Sequence, residues 1–187
     1  MGYLITVTGK VVDPLDMKED DIVLEDIAHA LSHICRYAGH TPVHYSVAQH
    51  SILCAEEMYK RASKRFGVSN EFTFNLVLQA LLHDATEAYV SDVPRPVKTK
   101  EFSQIEDNIW EVMARKWNLP KKHHSLVKEV DIFLLHSEMK CIFNHLPEGA
   151  VEQDFISVVP DSDPMHVYNH FISCLETMLI DRKIPKW

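Results

Sequence analysis

An almost wholly apolar stretch over residues 72–82 limits what this chain can fold into. It has too few polar side chains to form a solvated face, so it predicts a buried helix. The stretch runs directly into His83 and Asp84. A carboxylate and an imidazole are costly to bury unless another charge compensates them, and a divalent cation does so most directly. This helix end is therefore a candidate metal site.

The remainder of the chain also favours helices over strands. It contains only five glycines, and it is rich in leucine, alanine, glutamate and methionine, which are typical of helices. Apolar side chains recur at helical spacing in several segments. The predicted helices cover residues 25–37, a segment that opens at Ser46, and residues 71–89, 102–117, 123–143 and 164–180.

Two local signals refine this all-α prediction. Ser46 and Gln49 have the spacing of a capping box, which places the start of the second helix at Ser46. Residues 4–12 are rich in β-branched side chains around a Thr-Gly turn and predict a small β-hairpin. We therefore expect a single domain over residues 1–187, with a hairpin and lead-in at 1–20 and a helical bundle at 25–180.

Charge and cysteine usage exclude several classes of protein. The formal net charge of −8 argues against a nucleic-acid partner or an anionic membrane, because both need a positive surface. No segment reaches the ~18 consecutive apolar residues of a membrane span, and the start lacks a signal-peptide pattern, so we expect a cytoplasmic protein. The cysteines are far apart in apolar segments, which predicts small core residues in a reducing compartment, not a zinc or disulfide framework. They are Cys35, Cys54, Cys141 and Cys174.

Three further polar residues extend the candidate metal site. His50 lies at the edge of the apolar stripe of the second helix, and Asp131 interrupts a later apolar run. Glu87 follows His83 and Asp84 by one helical turn and is predicted to share their face. The His-Asp pair alone is a weak signal, because such pairs often form only local hydrogen bonds at a helix end. A separate His and a separate Asp in flanking helices favour mixed His/carboxylate ligation, which suits an octahedral divalent ion.

These motifs, within residues 45–51 and 83–88 and at Asp131, resemble the H…HD…D signature of the HD-domain phosphohydrolase superfamily. Residues 83–98 are also similar to the corresponding stretch of bacterial 5′-deoxynucleotidases and of phage dATP triphosphohydrolases. The resemblance implies an HD-domain helical bundle that holds one divalent metal ion, which is cobalt, manganese, magnesium, iron or zinc. The implied metal ligands are His50, His83, Asp84 and Asp131.

The same resemblance implies roles for residues around the metal. Glu87 matches the catalytic acid that orients or protonates a group in the hydrolytic step. Arg36 and Lys98 match basic residues near the phosphate of the substrate, and Asp92 matches a residue that reaches a sugar hydroxyl. Tyr37 takes the place of a tryptophan that packs near the sugar in the deoxynucleotidases.

Without the resemblance, the basic residues have simpler explanations. Arg36 falls on the polar face of the first predicted helix, where an arginine is usually solvated. Arg95 and Lys98 lie in a loop beside two prolines, where a surface position is the ordinary expectation. His123 and His124 predict an exposed helix start.

We therefore expect a phosphohydrolase that converts (deoxy)nucleoside 5′-monophosphates to nucleosides and phosphate. The alternative is a dNTP (dATP) triphosphohydrolase that releases tripolyphosphate, because Arg36, Arg95, Lys98 and Lys100 offer charge for a longer polyphosphate. A second alternative is a non-catalytic nucleotide-binding module, and Glu87 speaks against it, since binding alone needs no acid beside the ion. The expected partner is a small-molecule nucleotide, and the resemblance implies a homo-oligomer.

Overall fold

The computed structural model of the chain describes residues 2–146 and 155–186. Within these ranges the protein is mostly helical, which confirms the predicted fold class. The helices are α1 (Leu24–His33), α2 (Val47–Phe66), α3 (Glu71–Leu82), α4 (Glu87–Val90), α5 (Lys100–Trp117), α6 (Ser125–Phe143) and α7 (Pro164–Leu179). All of them except the single turn α4 have ten residues or more. No helix in the part of the chain that the structure describes is long and apolar enough to cross a membrane.

The predicted N-terminal hairpin is present. Strands β1 (Leu4–Ile5) and β2 (Val11–Val12) pair antiparallel, with Leu4 opposite Val12. Gly9 adopts a φ of 83° in the turn between them, a left-handed conformation that glycine reaches at little cost. The carboxylate of Asp26 on α1 accepts hydrogen bonds of 2.9 Å from the backbone N–H and the hydroxyl of Thr8. These bonds attach the hairpin to the bundle.

The core of the bundle centres on α2 and α3, which pack against each other along their length. Every residue of α3 from Leu76 to Leu82 is buried, as the apolar stretch predicts. Helices α1, α6 and α7 pack around α2. Each fully buried aliphatic side chain contributes about 1.5–3 kcal/mol to folding, so this packing fixes the helix ends that carry the candidate site.

The starts of α2 and α7 carry N-terminal caps, but the predicted capping box is only half formed, because the side chain of Gln49 bonds to the backbone of Val159 and Asp161. The hydroxyl of Ser46 accepts a hydrogen bond from the backbone N–H of Gln49 at 3.2 Å, and α2 begins at the next residue, as predicted. Asp163 caps α7 in the same way through the N–H of Met165 at 2.9 Å. Such caps satisfy N–H groups that have no partner inside the helix.

Two predicted helices end earlier than expected. The helix predicted over residues 25–37 ends at His33, and Cys35 then forms an antiparallel bridge with Ser46. Tyr37 and Ala38 have φ values of 55° and 50°, so Arg36 and Tyr37 lie in an irregular turn and not on a helical face. The helix predicted over residues 71–89 ends at Leu82 and resumes as α4.

The prediction that all four cysteines are core residues is only partly correct. All four are free thiols, and Cys54 and Cys174 are buried. Cys35 is half-buried outside any α-helix, and Cys141 is exposed on α6.

Candidate metal centre

The structure brings the four predicted metal ligands together, although their role as ligands remains a prediction. His50 comes from the first turn of α2, His83 and Asp84 from the turn after α3, and Asp131 from α6. The Nε2 atom of His50 lies 3.3 Å from both the Nε2 atom of His83 and the Oδ1 atom of Asp131. The Nε2 atom of His83 lies 3.2 Å from the Oδ2 atom of Asp84. Neighbouring donors on one ion, at bonds of about 2.1 Å, lie about 3 Å apart, so these spacings fit a shared cation.

Burial and charge at this cluster favour a cation. His50 is fully buried, and both burial and the positive charge of Arg36 lower its pKa. Cys54, Glu138 and Asp131 raise it, and the pKa of His50 lies well above the usual value. Burial also lowers the pKa of His83, yet the carboxylate of Asp84 raises it to about 9. The pKa of Asp84 stays below its usual value despite burial, because His83 and His50 face it. The carboxylates thus retain negative charge, which protons on the imidazoles or a metal ion can balance.

Buried His50, Cys54 and His83 form a group that could hold a metal ion. Cys54 lies one turn after His50 on α2, and its Sγ atom is 3.4 Å from the Nε2 atom of His50. Cys54 is buried in the core, as predicted, and its thiol is a further candidate donor beside the predicted ligands. The i, i+4 spacing of His50 and Cys54 was the available signal, because such residues are neighbours on a helix.

The ring of His83 is also oriented by the backbone. Its Nδ1 atom lies 2.8 Å from the carbonyl oxygen of Ala80, and a carbonyl can only accept, so Nδ1 carries the proton. The Nε2 atom, which faces Asp84, is then the nitrogen available to a metal. Such backbone contacts commonly fix the tautomer of metal-binding histidines.

A buried glutamate outside the set of predicted site residues lies behind His50. Glu138 on α6 is fully buried. Its Oε1 atom lies 2.5 Å from the Nδ1 atom of His50 and accepts a hydrogen bond of 2.8 Å from the hydroxyl of Tyr45. Its Oε2 atom accepts hydrogen bonds from the Nη2 atom of Arg36 at 2.9 Å and the hydroxyl of Tyr37 at 2.8 Å.

The surroundings of Glu138 keep it ionised. Burial raises the pKa of this carboxyl, but His50 and Arg36 lower it to about 2. Glu138 lies two helical turns after Asp131 on α6, and this i, i+7 spacing was the signal in the sequence that could have identified it.

A cavity of about 290 Å³ opens beside the cluster. All the residues that the resemblance assigned to catalysis and to substrate binding line it, together with Asp84 and Asp131. They are Arg36, Tyr37, Glu87, Asp92 and Lys98, and the loop residue Arg95 also lines the cavity.

Glu87 begins α4 at the wall of this cavity. The predicted shared helical face with His83 and Asp84 is wrong, because the helix ends at Leu82, but the turn still brings Glu87 beside them. Burial raises the pKa of Glu87 to about 10, assisted by the negative charges of Asp84 and Asp92. Its Oε2 atom is buried and has no hydrogen-bond partner within residues 2–146 and 155–186. Burial and the two neighbouring carboxylates thus favour the protonated form of Glu87.

The basic residues of the cavity are already paired. Arg36 is not solvated as its helical position suggested, because only 11% of its side chain is exposed and it binds Glu138. Its Nη1 atom lies 3.8 Å from the Oδ2 atom of Asp84. The exposed Arg95 lies 3.3 Å from Asp131 at the rim. Lys98 lies 2.9 Å from the carboxylate of Glu106.

A second cavity of about 360 Å³ shares Asp84, Glu87 and Lys98 with the first. Lys121, Lys122 and Trp110 lie in its wall. The predicted exposed start of helix α6 is wrong for His123, which is half-buried and packs its ring on Trp110 at a centroid distance of 4.0 Å.

Comparison with known proteins places the chain among bacterial relatives. No protein-family model matches it. The chain is 36% identical over 180 residues to uncharacterized protein YfdR of Escherichia coli K12, covering 92% of this chain and 93% of the relative. An uncharacterized protein of Rhodobacter capsulatus is 36% identical over 118 residues, or 60% of this chain and 57% of that protein. Neither name states an activity. On the identity and coverage of the first match, the chain belongs to the family of Escherichia coli YfdR.

Proposed function

We propose that this protein is a divalent-metal-dependent phosphohydrolase of the HD type that releases phosphate from deoxynucleoside 5′-monophosphates. One observation carries the proposal. The donor atoms of two histidines and two aspartates lie close together, and both aspartates line a cavity that also holds a buried glutamate and three basic side chains. A structural metal site would need neither the cavity nor the acid.

The residues of the cavity have separate roles in the proposed hydrolysis. When bound, a divalent ion supplies a water of lowered pKa and offsets charge on the phosphoryl group. Arg36 and Lys98 bind the phosphate oxygens, and a planar guanidinium suits bidentate contact. Glu87 donates its proton to the leaving sugar oxygen, a contribution of about 10²–10⁴-fold in rate. Asp92 accepts a hydrogen bond from a sugar hydroxyl, and the ring of Tyr37 packs beside the sugar.

The pairing of the basic residues supports a monophosphate substrate. Arg36 shares its charge with Glu138, Lys98 with Glu106, and Arg95 lies exposed at the rim. Little positive charge remains in the first cavity for three phosphates. The second cavity, with Lys121 and Lys122 in its wall, supports the alternative of a triphosphohydrolase, because it shares Asp84 and Glu87 with the first.

A product assay tests the proposal. Protein stripped of metal by a chelator is supplied in turn with Mn²⁺, Co²⁺, Mg²⁺ and Zn²⁺, and incubated with deoxyribo- and ribonucleoside monophosphates and with dNTPs. We expect orthophosphate from a deoxynucleoside monophosphate and no product from an Asp131→Asn variant. Tripolyphosphate from a dNTP would select the alternative. Tight nucleotide binding without any product would point to a non-catalytic module.

A further inference from the structure

We propose that Glu138 is a positioning residue whose single carboxylate holds both the metal ligand His50 and the phosphate-binding Arg36, and so couples metal binding to phosphate binding. The inference rests on the proposed function. It goes beyond that function because the function itself needs only the residues that face the cavity, and Glu138 lies behind them, fully buried.

The first half of the coupling is the contact with His50. The Oε1 atom of Glu138 accepts from the Nδ1 atom of His50 at 2.5 Å. An ionised carboxylate can only accept, so the proton of the neutral ring lies on Nδ1. The lone pair of Nε2 then points toward His83 and Asp131, each 3.3 Å away. Removing such a carboxylate partner from a metal-binding histidine typically weakens metal affinity by about 10–100-fold.

The second half is the contact with Arg36. The Oε2 atom of Glu138 accepts from Nε at 3.2 Å and from Nη2 at 2.9 Å. These two bonds fix the plane of the guanidinium and direct Nη1 toward Asp84, 3.8 Å away. Arg36 lies in an irregular turn, so this contact to α6 determines where its guanidinium sits at the cavity wall.

The hydroxyls of Tyr37 and Tyr45 complete the environment of the carboxylate. Each donates a hydrogen bond of 2.8 Å, one to each oxygen. Every partner of Glu138 is therefore a donor. A glutamine at this position would replace one acceptor oxygen with an NH₂ group, which must face donors on either the His50 side or the Arg36 side. Glu138→Gln thus disturbs one contact while it keeps the size of the side chain.

Calorimetric titration with Mn²⁺ and with inorganic phosphate tests the inference. We compare the wild type, Glu138→Gln and the matched control Glu57→Gln, which alters another buried glutamate of the bundle, paired with Arg61 at 2.7 Å. In the wild type we expect phosphate to bind more tightly when Mn²⁺ is present. In Glu138→Gln we expect the effect of Mn²⁺ on phosphate binding to disappear, because either orientation of the amide breaks one of the two contacts. With the NH₂ group on the His50 side, Mn²⁺ affinity should also fall by about 10–100-fold. Glu57→Gln should leave both unchanged.

The possible results distinguish a failure of this inference from a failure of the proposed metal centre. Equal Mn²⁺ affinity and equal coupling in Glu138→Gln and the wild type would overturn the inference and leave the proposed centre standing. A wild type that binds no Mn²⁺ would remove the centre and the inference with it. The tautomer of His50 gives a test that needs no substitution of Glu138. In the Zn²⁺-loaded wild type, nitrogen NMR should place the ring proton on Nδ1, and a proton on Nε2 would overturn the inference.

Discussion

Glu87 has the properties of a proton donor because its surroundings make ionisation unfavourable. Burial, together with the negative charges of Asp84 and Asp92, raises the pKa of Glu87 to about 10. We expect Glu87→Gln to reduce turnover by about 10²–10⁴-fold with unchanged metal affinity, because Glu87 is not among the proposed ligands. The measurement is kcat for phosphate release at saturating metal, alongside metal titration. Glu101→Gln, on the exposed surface of α5, is the control, and unchanged turnover in Glu87→Gln would remove Glu87 from the reaction.

His123 should make the fold sensitive to acid. Burial lowers its pKa to about 4, with the charge of His83 acting in the same direction, whereas the unfolded value is about 6.5. The folded protein thus disfavours the protonated ring. The stability that His123 contributes is complete above pH ~6.5 and is lost as the pH falls through about 4.

A substitution separates this effect from other acidic transitions. His123→Phe retains a ring to pack on Trp110 and cannot be protonated, so its free energy of unfolding should fall less between pH 6.5 and 4 than that of the wild type. His124→Asn is the control, because it keeps a side chain that caps α6. Urea unfolding at several pH values measures the difference, and parallel curves for His123→Phe and the wild type would contradict the argument.

The residues of the cluster differ in how far the sequence could predict them. His50, His83, Asp84 and Asp131 are polar residues in apolar surroundings, and their order along the chain resembles a known signature. Glu138 shows the same anomaly but belongs to no such signature. The proposed role of Glu138 depends on its contact with Arg36, which is 102 positions earlier in the chain. The two residues meet only because the turn after α1 packs on α6.

At the scale of helices, the start of α2 is important for the site, because the candidate ligand His50 lies in its first turn. The Ser46 hydroxyl, itself buried, accepts the hydrogen bond that caps this helix. We expect Ser46→Ala to lower the free energy of unfolding by about 1 kcal/mol, within the range of measured caps. Ser63→Ala is the matched control on the same helix, because the Ser63 hydroxyl has no hydrogen-bond partner in the described part of the chain. Equal losses in urea unfolding would refute the capping argument.

The end of α3 shows why helix boundaries were harder to predict than helices. Residues 71–89 contain neither glycine nor proline, so nothing in the sequence signals a break before Ser91. In the structure, the backbone leaves the α-helical pattern at His83, and the N–H of Ala85 bonds to the carbonyl of Leu82 at 2.9 Å. The apolar pattern therefore identified the buried helix, whereas nothing in the sequence marked its end.

Over the whole molecule, the candidate centre joins segments that are distant in the chain. Helices α2 and α6 and the turn after α3 each supply part of it, and their side chains meet only when the bundle is folded. The expected single domain and homo-oligomer remain predictions, and sedimentation analysis would test the oligomer.

Because the unfolded chain cannot hold His50, His83, Asp84 and Asp131 around one ion, a metal that binds them should stabilise the fold. With free Mn²⁺ at about 100 times its Kd, linkage predicts a gain of about 2.7 kcal/mol, or about 5–10 °C in Tm for a chain of this size. Thermal unfolding with Mn²⁺ and with a chelator measures this gain, and Asp131→Asn should reduce it. His166→Asn, at an exposed histidine paired with Asp161, should keep it. The same Tm for the wild type with Mn²⁺ and with chelator would show that the folded cluster does not bind this ion.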